Sequence, residues 1–159
     1  SIGGKPLFFW PGGNKVSKQN LEMLEEIFKG AKMGMNATKL VMDKTKDTDL
    51  KNKLTGQYGS FSKTAQKAEE MLISNNKIPE ESGMMEKAML WSSVQLNSML
   101  DTDASHIAEM VINGSTMSIV SMTKKLNELP EASPEVRTLA KDFIHDQEHY
   151  IGEMKSFLC

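Results

Sequence analysis

The strongest constraint on the fold is a set of apolar residues that recur at alternating spacings of three and four. The first such stripe starts after Ser17, covers about six helical turns and comprises Leu21, Leu24, Phe28, Ala31, Met35, Thr38 and Met42. The second stripe comprises Leu54, Tyr58, Phe61, Ala65, Ala68 and Leu72. Because this spacing puts side chains on one face of an α-helix, both segments are predicted to be amphipathic helices.

Short polar segments and prolines predict where these helices begin and end. Ser17 is the expected N-cap of the first helix. The side chains of residues 47–49 compete for backbone hydrogen bonds, so the second helix should begin there and form an antiparallel hairpin with the first. Pro79 predicts the start of a third helix. Residues 133–135, Ser-Pro-Glu, predict the start of a fourth, which should extend to about Phe157.

The third predicted helix is unusually long, because no proline occurs between Pro79 and Leu129. A helix of about 50 residues would measure about 75 Å, far more than its neighbours. We therefore expect a kink or break near residues 101–103, Asp-Thr-Asp. The resulting fold class is all-α, an antiparallel up-down four-helix bundle that forms a single domain over residues 17–158.

Residues 1–16 are predicted to form an irregular apolar arm. Glycines and prolines are too frequent there for a helix. The segment also contains the consecutive apolar residues 7–10, Leu-Phe-Phe-Trp, which would be unfavourable in water. We expect this cluster to cover one end of the bundle, and an arm that contacts a second subunit is the alternative.

The composition argues against several classes of partner. With 19 basic and 21 acidic residues, the charges nearly balance, so neither nucleic acid nor an anionic membrane is a predicted partner. No apolar run approaches the roughly 18 residues that a membrane-spanning helix needs. The single cysteine, Cys159, excludes an intramolecular disulfide and agrees with a reducing compartment, so the expected location is cytoplasmic.

Several short segments resemble the ferritin-like superfamily. They are residues 139–145 with residues 148–150, and residues 106–110 with residues 114–117, set within two predicted helical hairpins. In particular, the chain is similar to little-characterised ferritin-like bundle proteins of Gram-positive, spore-forming bacteria. This resemblance implies a four-helix bundle. In metal-bearing members, one glutamate on each of two helices and a Glu-x-x-His pair on each of the others face the bundle axis.

The residues of this chain do not reproduce that metal site. The nearest matches are Asp103-x-x-His106 and Asp142-x-x-His145, each with the shorter acid. At about 100° of rotation per residue, His145 and His149 lie roughly 150–170° from the apolar face of their helix. Both should point to solvent, whereas Gln147 should face the axis. No glutamate of the first two helices is predicted to face it.

The axial positions of the histidines lead to the same conclusion. If the last two helices pair around a turn near residues 130–133, residue i lies opposite about residue 262 − i, so that His145 faces Met117. His106 would then lie roughly 16 Å away along the helix. One ion holds its nitrogen ligands at about 2 Å, so no single ion can bind both histidines. The sequence therefore predicts a bundle without a complete di-metal centre and without a cofactor.

The sequence does not exclude a smaller metal site on the surface. Asp142, His145 and His149 could bind zinc, nickel or iron on the surface of the fourth helix. Exposed histidines that are merely solvated are the alternative. The 13 methionines of the chain favour flexible core packing, with an adaptable groove for a partner helix or an apolar ligand as the alternative.

Taken together, these features favour a non-enzymatic bundle with a structural or protein-interaction role. Self-association is expected, because the arm and the apolar boundary positions leave apolar surface to cover. No nucleophile with a partnered base and no phosphate-binding loop is recognisable in the sequence. A metal-binding or metal-dependent oxidative protein is the first alternative, and a carrier of an apolar small ligand is the second.

Overall fold

A computed structural model describes residues 14–79 and 103–159. In these ranges the chain forms four α-helices and no β-strand: α1 (Asn14–Lys44), α2 (Thr48–Ser74), α3 (Ala104–Glu128) and α4 (Pro134–Lys155). The all-helical fold that the apolar periodicity predicts is therefore confirmed, and it is consistent with a four-helix bundle. None of these described helices combines the length and the apolar character that crossing a bilayer requires.

Three of the helices begin at side chains that accept hydrogen bonds from the first turn. The Asp47 carboxylate accepts from the backbone N–H of Leu50 at 2.9 Å and begins α2. Ser133 is the N-cap of α4, with Pro134 at the first helical position. These two predicted starts are confirmed, because each cap satisfies an amide that the helix itself leaves without a partner.

Other boundaries differ from the sequence prediction. Ser17 is not an N-cap, because α1 already begins at Asn14. The remainder of the predicted arm, residues 1–13, lies outside the described residues. At the other end of the chain, α4 ends at Lys155 rather than near Phe157.

The start of α3 bears on the predicted long third helix. Asp103 has an extended backbone, with φ −68° and ψ 157°, and its carboxylate accepts from the N–H of His106 at 2.8 Å. A helix therefore starts at this point. The helix that Pro79 predicts over residues 80–102 lies outside the described residues, and a kink or break that joins it to α3 stays a prediction.

Contacts between α1 and α2 run in opposite chain directions. At one end, Lys77 just beyond α2 forms an ion pair with Glu25 near the start of α1, at 3.3 Å. Midway along, the Phe61 ring of α2 lies against Gly34 of α1. At the other end, only three residues, 45–47, connect the two helices. This pairing is the most extensive helix contact in the described chain.

The pairing of α3 with α4 has a similar register along its whole length. At one end, the Arg137 guanidinium donates to the carbonyls of Leu126 and Leu129, both at 2.9 Å. At the other, the backbone N–H of Cys159 donates to the Ser105 hydroxyl at 3.1 Å. The contact of Arg137 with Leu126 and that of Cys159 with Ser105 agree with the register expected from the sequence to within two residues.

The turn between α3 and α4 is held against the start of α1. The backbone N–H of Ser133 donates to the side-chain oxygen Oδ1 of the buried residue Asn20 at 2.6 Å. Nearby, the Lys125 ammonium donates to the Glu22 carboxylate at 3.1 Å, and this hydrogen bond is the main cause that raises the pKa of Lys125. These contacts join the two helical pairs at one end of the molecule.

The buried apolar side chains form two separate clusters. The larger, at the end near the α3–α4 turn, comprises Met23, Leu24, Ile27, Phe28, Ala31, Phe61, Ala65, Ala68, Leu72, Met122, Leu126, Leu129, Ala132, Val136, Leu139, Ala140, Phe143 and Tyr150. The smaller, at the end near the α1–α2 connection, comprises Val41, Leu50, Leu54, Ile107, Ala108 and Met154. Both clusters draw residues from all four helices.

Two glycines of α1 make room for aromatic rings from other helices. A Cβ atom at Gly34 would overlap the Phe61 ring, and one at Gly30 would lie 3.2 Å from the Phe143 ring. Gly59 of α2, by contrast, is exposed, and a Cβ atom there would meet nothing within 4 Å.

We predict opposite effects for alanine at these two glycines. Gly34→Ala should lower the free energy of unfolding by about 1–3 kcal/mol, because the buried Phe61 ring has to move. Gly59→Ala should raise it by up to about 1 kcal/mol, because alanine is the better helix former. Urea denaturation measures both variants. Equal effects at the two positions would show that Phe61 is not confined by Gly34.

Candidate functional site

Each of the four helices carries a buried polar side chain between or beside its buried apolar residues. We call this set the polar belt, and it consists of one buried residue from each helix: Thr38 of α1, Gln57 of α2, Ser115 of α3 and Gln147 of α4. Each occupies a position in its helix that continues the three-and-four spacing of the apolar stripe. The two amides are the most enclosed, since Gln57 and Gln147 are each 1% exposed.

The polar belt lies near the boundary between the two apolar clusters. Thr38, Gln57 and Ser115 each separate residues of their own helix that belong to different clusters. Gln147 lies one turn before Tyr150, in the last part of the larger cluster. By the α3–α4 register it lies almost opposite Ser115. A four-helix bundle that binds metal places its ligands at such an internal level.

The chemistry of the polar belt does not fit a di-metal centre. Its side chains are two amides and two hydroxyls, whereas such a centre needs several carboxylates and histidines that converge on the ions. Within residues 14–79 and 103–159, no three or more His, Cys, Asp or Glu side chains are grouped so that they could hold a metal ion. The residues therefore do not match the donor set that the ferritin-like resemblance implies.

The histidines of α4 point to solvent, as their rotation in the sequence predicts. The side chains of His145 and His149 are 76% and 73% exposed. His145 lies 3.6 Å from the Glu148 carboxylate, and His149 lies 3.8 Å from that of Glu153. Asp142, the third residue of the predicted surface site, is also exposed. The two imidazoles therefore face different carboxylates, and the surface metal site stays a prediction.

A network of polar side chains joins α2 to α4 beside the polar belt. The Gln57 amide donates to one oxygen of Glu153 at 3.3 Å, while Lys53 and His149 each approach its other oxygen at 3.8 Å. One turn away, the Ser60 hydroxyl donates to Asp146 at 3.3 Å. Glu153, whose side chain is only 18% exposed, thus accepts one hydrogen bond and lies near two basic side chains.

Burial raises two pKa values in this region. For Asp146, desolvation is the main cause of the raised pKa, and the hydrogen bond from Ser60 opposes it. For Tyr150, burial raises the pKa to about 12, with smaller contributions of the same sign from Asp146 and Glu153 and an opposing one from Ser60. The phenol of Tyr150 is therefore neutral throughout the physiological pH range.

Two polar atoms of α4 are buried without a hydrogen-bond partner among the described residues. They are the Nε2 atom of Gln147 and the hydroxyl oxygen of Tyr150, which are three positions apart on the helix. An unsatisfied buried donor costs about 1–3 kcal/mol. Buried donors of this kind are usually satisfied by water. Amide and phenol groups can hold a polar ligand, but neither is a nucleophile at neutral pH.

The outer face of α3 is the most unusual surface in the described chain. Residues 110–123 contain no charged side chain, although α3 is partly exposed over this whole length. We call the exposed residues of its middle part, 113–121, the α3 strip, and they are Asn113, Gly114, Thr116, Met117, Val120 and Ser121. Met117 and Val120 are 73% and 49% exposed, and they line a shallow groove with Thr116, Ser121 and Lys124.

The methionines are divided between the core and this surface. Met23, Met122 and Met154 are buried, as core packing predicts. Met117 and Met33 are exposed, so the expected core packing does not hold for these two. The α3 strip could have been recognised from the sequence, because fourteen consecutive residues without a charge are unusual for a helix of a monomeric bundle.

Other functional side chains were also missed by sequence analysis. Tyr58 was assigned to the buried face of the second helix, but Gln57 is the enclosed residue and Tyr58 is half-buried. The Ser60–Asp146 and Gln57–Glu153 contacts join residues far apart in the chain, and no local pattern indicates them. In contrast, Gln147 was correctly predicted to face the interior.

The comparisons with known proteins do not assign this site. The chain matches no protein-family model, no curated protein and no solved structure.

We predict that Tyr150 makes stability depend on alkaline pH. Its folded pKa of about 12 exceeds the ordinary value of 10.0, so the protein favours the neutral phenol. The stabilisation is fully present below pH 10 and is lost as the pH rises through about 12. The free energy of unfolding should therefore fall more steeply over this range in the wild type than in Tyr150→Phe.

Urea titrations at several pH values between 9 and 12 measure the effect. Tyr58→Phe is the control for loss of a tyrosine hydroxyl outside this network. If the wild type and Tyr150→Phe lose stability in parallel, the phenol of Tyr150 does not have the raised pKa.

Proposed function

We propose that this chain is a non-enzymatic, ferritin-like helical bundle that acts through protein–protein contact and first of all associates with itself. The single observation that carries this proposal is the α3 strip, in which Met117 and Val120 are exposed within a segment that has no charged residue. Charge depletion is typical of the buried centre of a protein interface. The bundle is proposed to be antiparallel and up-and-down, which the opposed helix contacts support.

The α3 strip differs from the other solvent-exposed helix faces. The exposed positions of α1, α2 and α4 carry lysines and acids at close intervals, for example Lys63, Lys67, Glu69 and Glu70 on α2. Such faces are well solvated, and a partner would have to desolvate their charges. A partner that covers the α3 strip displaces water from methionine, valine and small polar residues instead. Gly114, which has open space around it, lets another backbone approach closely.

The chemistry of the interior supports a role in binding rather than in catalysis. The polar belt offers amides and hydroxyls, and the perturbed acid Asp146 is engaged by Ser60. These groups position neighbouring helices, since Gln57 and Ser60 of α2 both contact residues of α4. We assign the belt and its network to holding the helices in register, which keeps the α3 strip in place.

We predict that a charge in the α3 strip abolishes self-association. Size-exclusion chromatography with light scattering should give the wild type about twice the 17.7 kDa mass of one chain, and Val120→Lys the mass of one chain. The variant should remain folded, because Val120 is half exposed and substitutions at such positions change stability by about 0.5 kcal/mol or less.

Ile73→Lys is the matched control, since Ile73 is 56% exposed but lies on α2 away from the α3 strip. This variant should associate like the wild type. A wild type that is monomeric at all concentrations contradicts the proposal. If the wild type is a monomer and Val120→Lys lowers its free energy of unfolding, the strip is covered by another part of the same chain.

Binding of metal at the surface of α4 is the alternative function, with Asp142, His145 and His149 as ligands and zinc, nickel or iron as the ion. It is supported by the exposure of both imidazoles on one helix, four positions apart. We predict only weak zinc binding there, because most of the shell would be water. Calorimetry should show that His149→Ala removes this binding, while His106→Ala retains it.

Elemental analysis of protein purified without a histidine tag tests the ranking of the two functions. A stoichiometric transition metal would place the metal-binding function first. A carrier role for an apolar small ligand is the remaining alternative, and native mass spectrometry would reveal it as retained small-molecule mass.

A further inference from the structure

The α3 strip has a charge of opposite sign at each end. Glu109 precedes it and Lys124 follows it, and both side chains are exposed. Within the described residues neither of them takes part in an ion pair, whereas Lys125 next to Lys124 bonds to Glu22. Glu109 and Lys124 are fifteen residues apart in the sequence, which corresponds to about 22 Å along the helix. Two charges so far apart on one rod do not contact each other.

These two charges and the strip share one face of α3. At 100° per residue, Glu109, Lys124 and the six strip residues fall within about 160° of the helix circumference. The buried residues Ala108, Ser115 and Met122 lie on the opposite side. A second helix that docks on the strip therefore meets an uncharged centre with an acid at one end and a base at the other.

We propose that two copies of this chain pair through their α3 helices, antiparallel and about a two-fold axis that passes between Thr116 and Met117. This register rests on the self-association proposed above and specifies its geometry. In an antiparallel pair with this axis, Glu109 of each copy lies opposite Lys124 of the other. The interface is isologous, so each contact occurs twice.

The same register matches the uncharged residues. Val120 of one copy lies opposite Asn113 of the other, and Met117 opposite Thr116, so each apolar side chain faces a smaller polar one. Contact at both ends over about 22 Å needs a shallow crossing angle near 20°, which is one of the preferred helix-packing angles. A parallel pair would place Glu109 beside Glu109 and Lys124 beside Lys124, which is unfavourable.

The α3 pair defines the centre of a modest interface. Stable dimers commonly bury about 800 Å² per partner, which is more than one helix face of this length provides. We therefore expect a dimer whose dissociation constant is in the micromolar range and which dissociates on dilution. The overall charge of −2 opposes the association of two copies only weakly.

Charge reversal tests the register directly. Glu109→Lys places two lysines opposite each other at both ends of the strip in the dimer, and Lys124→Glu places two acids together in the same way. Each single variant should raise the dissociation constant about tenfold at low salt. The double variant Glu109→Lys/Lys124→Glu restores both opposite-charge pairs, so its dissociation constant should return to that of the wild type. Sedimentation equilibrium measures all four proteins.

A matched set of variants on α2 separates the register from net charge. Glu70→Lys and Lys67→Glu make the same changes in charge at exposed positions away from the α3 strip, and each should leave the dissociation constant unchanged. Raising the salt concentration should reduce the difference between the single α3 variants and the wild type.

The outcomes distinguish the two proposals. If the wild type dimerises and Val120→Lys is monomeric, but the single reversals have no effect or the double variant is no better than either single one, the antiparallel register is wrong and self-association stands. If the wild type does not dimerise, the proposed function fails, and the register fails with it.

Discussion

The packing of one aromatic side chain determines how three of the four helices are arranged. Phe61 of α2 lies against Gly34 of α1, and its ring centroid is 5.2 Å from that of Tyr150 and 6.2 Å from that of Phe143 on α4. The ring fits because Gly34 has no Cβ atom. The closeness of α1 to α2, and the position of α4 across them, both depend on this absence. Dense packing in the larger cluster then leaves little freedom for the helices to slide.

From this contact toward the α1–α2 connection, buried polar side chains interrupt the apolar interior before the smaller apolar cluster begins. The contacts of Ser60 with Asp146 and of Gln57 with Glu153 hold α2 and α4 in register with directional hydrogen bonds. Apolar packing alone tolerates a helix that shifts by one turn, whereas a buried amide or hydroxyl loses its partner when the register changes. These two contacts therefore make the packing of α2 against α4 specific.

On the outer face of α3, apolar side chains are exposed, whereas in the interior polar side chains are buried. Both arrangements have the same physical basis. A side chain on a helix can face the core or the solvent, and the rotation of the helix decides which. In α3 the rotation that buries Ala108 and Met122 leaves Met117 and Val120 on the opposite side. The uncharged α3 strip is therefore the feature on which the proposed self-association rests.

The sequence by itself determined what depends on neighbours along the chain. The helix type and the caps at Asp47 and Ser133 follow from local spacing and local hydrogen bonding, and so do the outward rotation of His145 and His149 and the inward rotation of Gln147. Only the tertiary structure decided which residues meet across helices: Phe61 with Gly34, Ser60 with Asp146, and Gln57 rather than Tyr58 in the interior. The physical reason is that periodicity defines a face only to within about one residue, or roughly 100° of rotation. The neighbouring helix selects the side chain that is finally enclosed, through the space it leaves and the polar partners it offers.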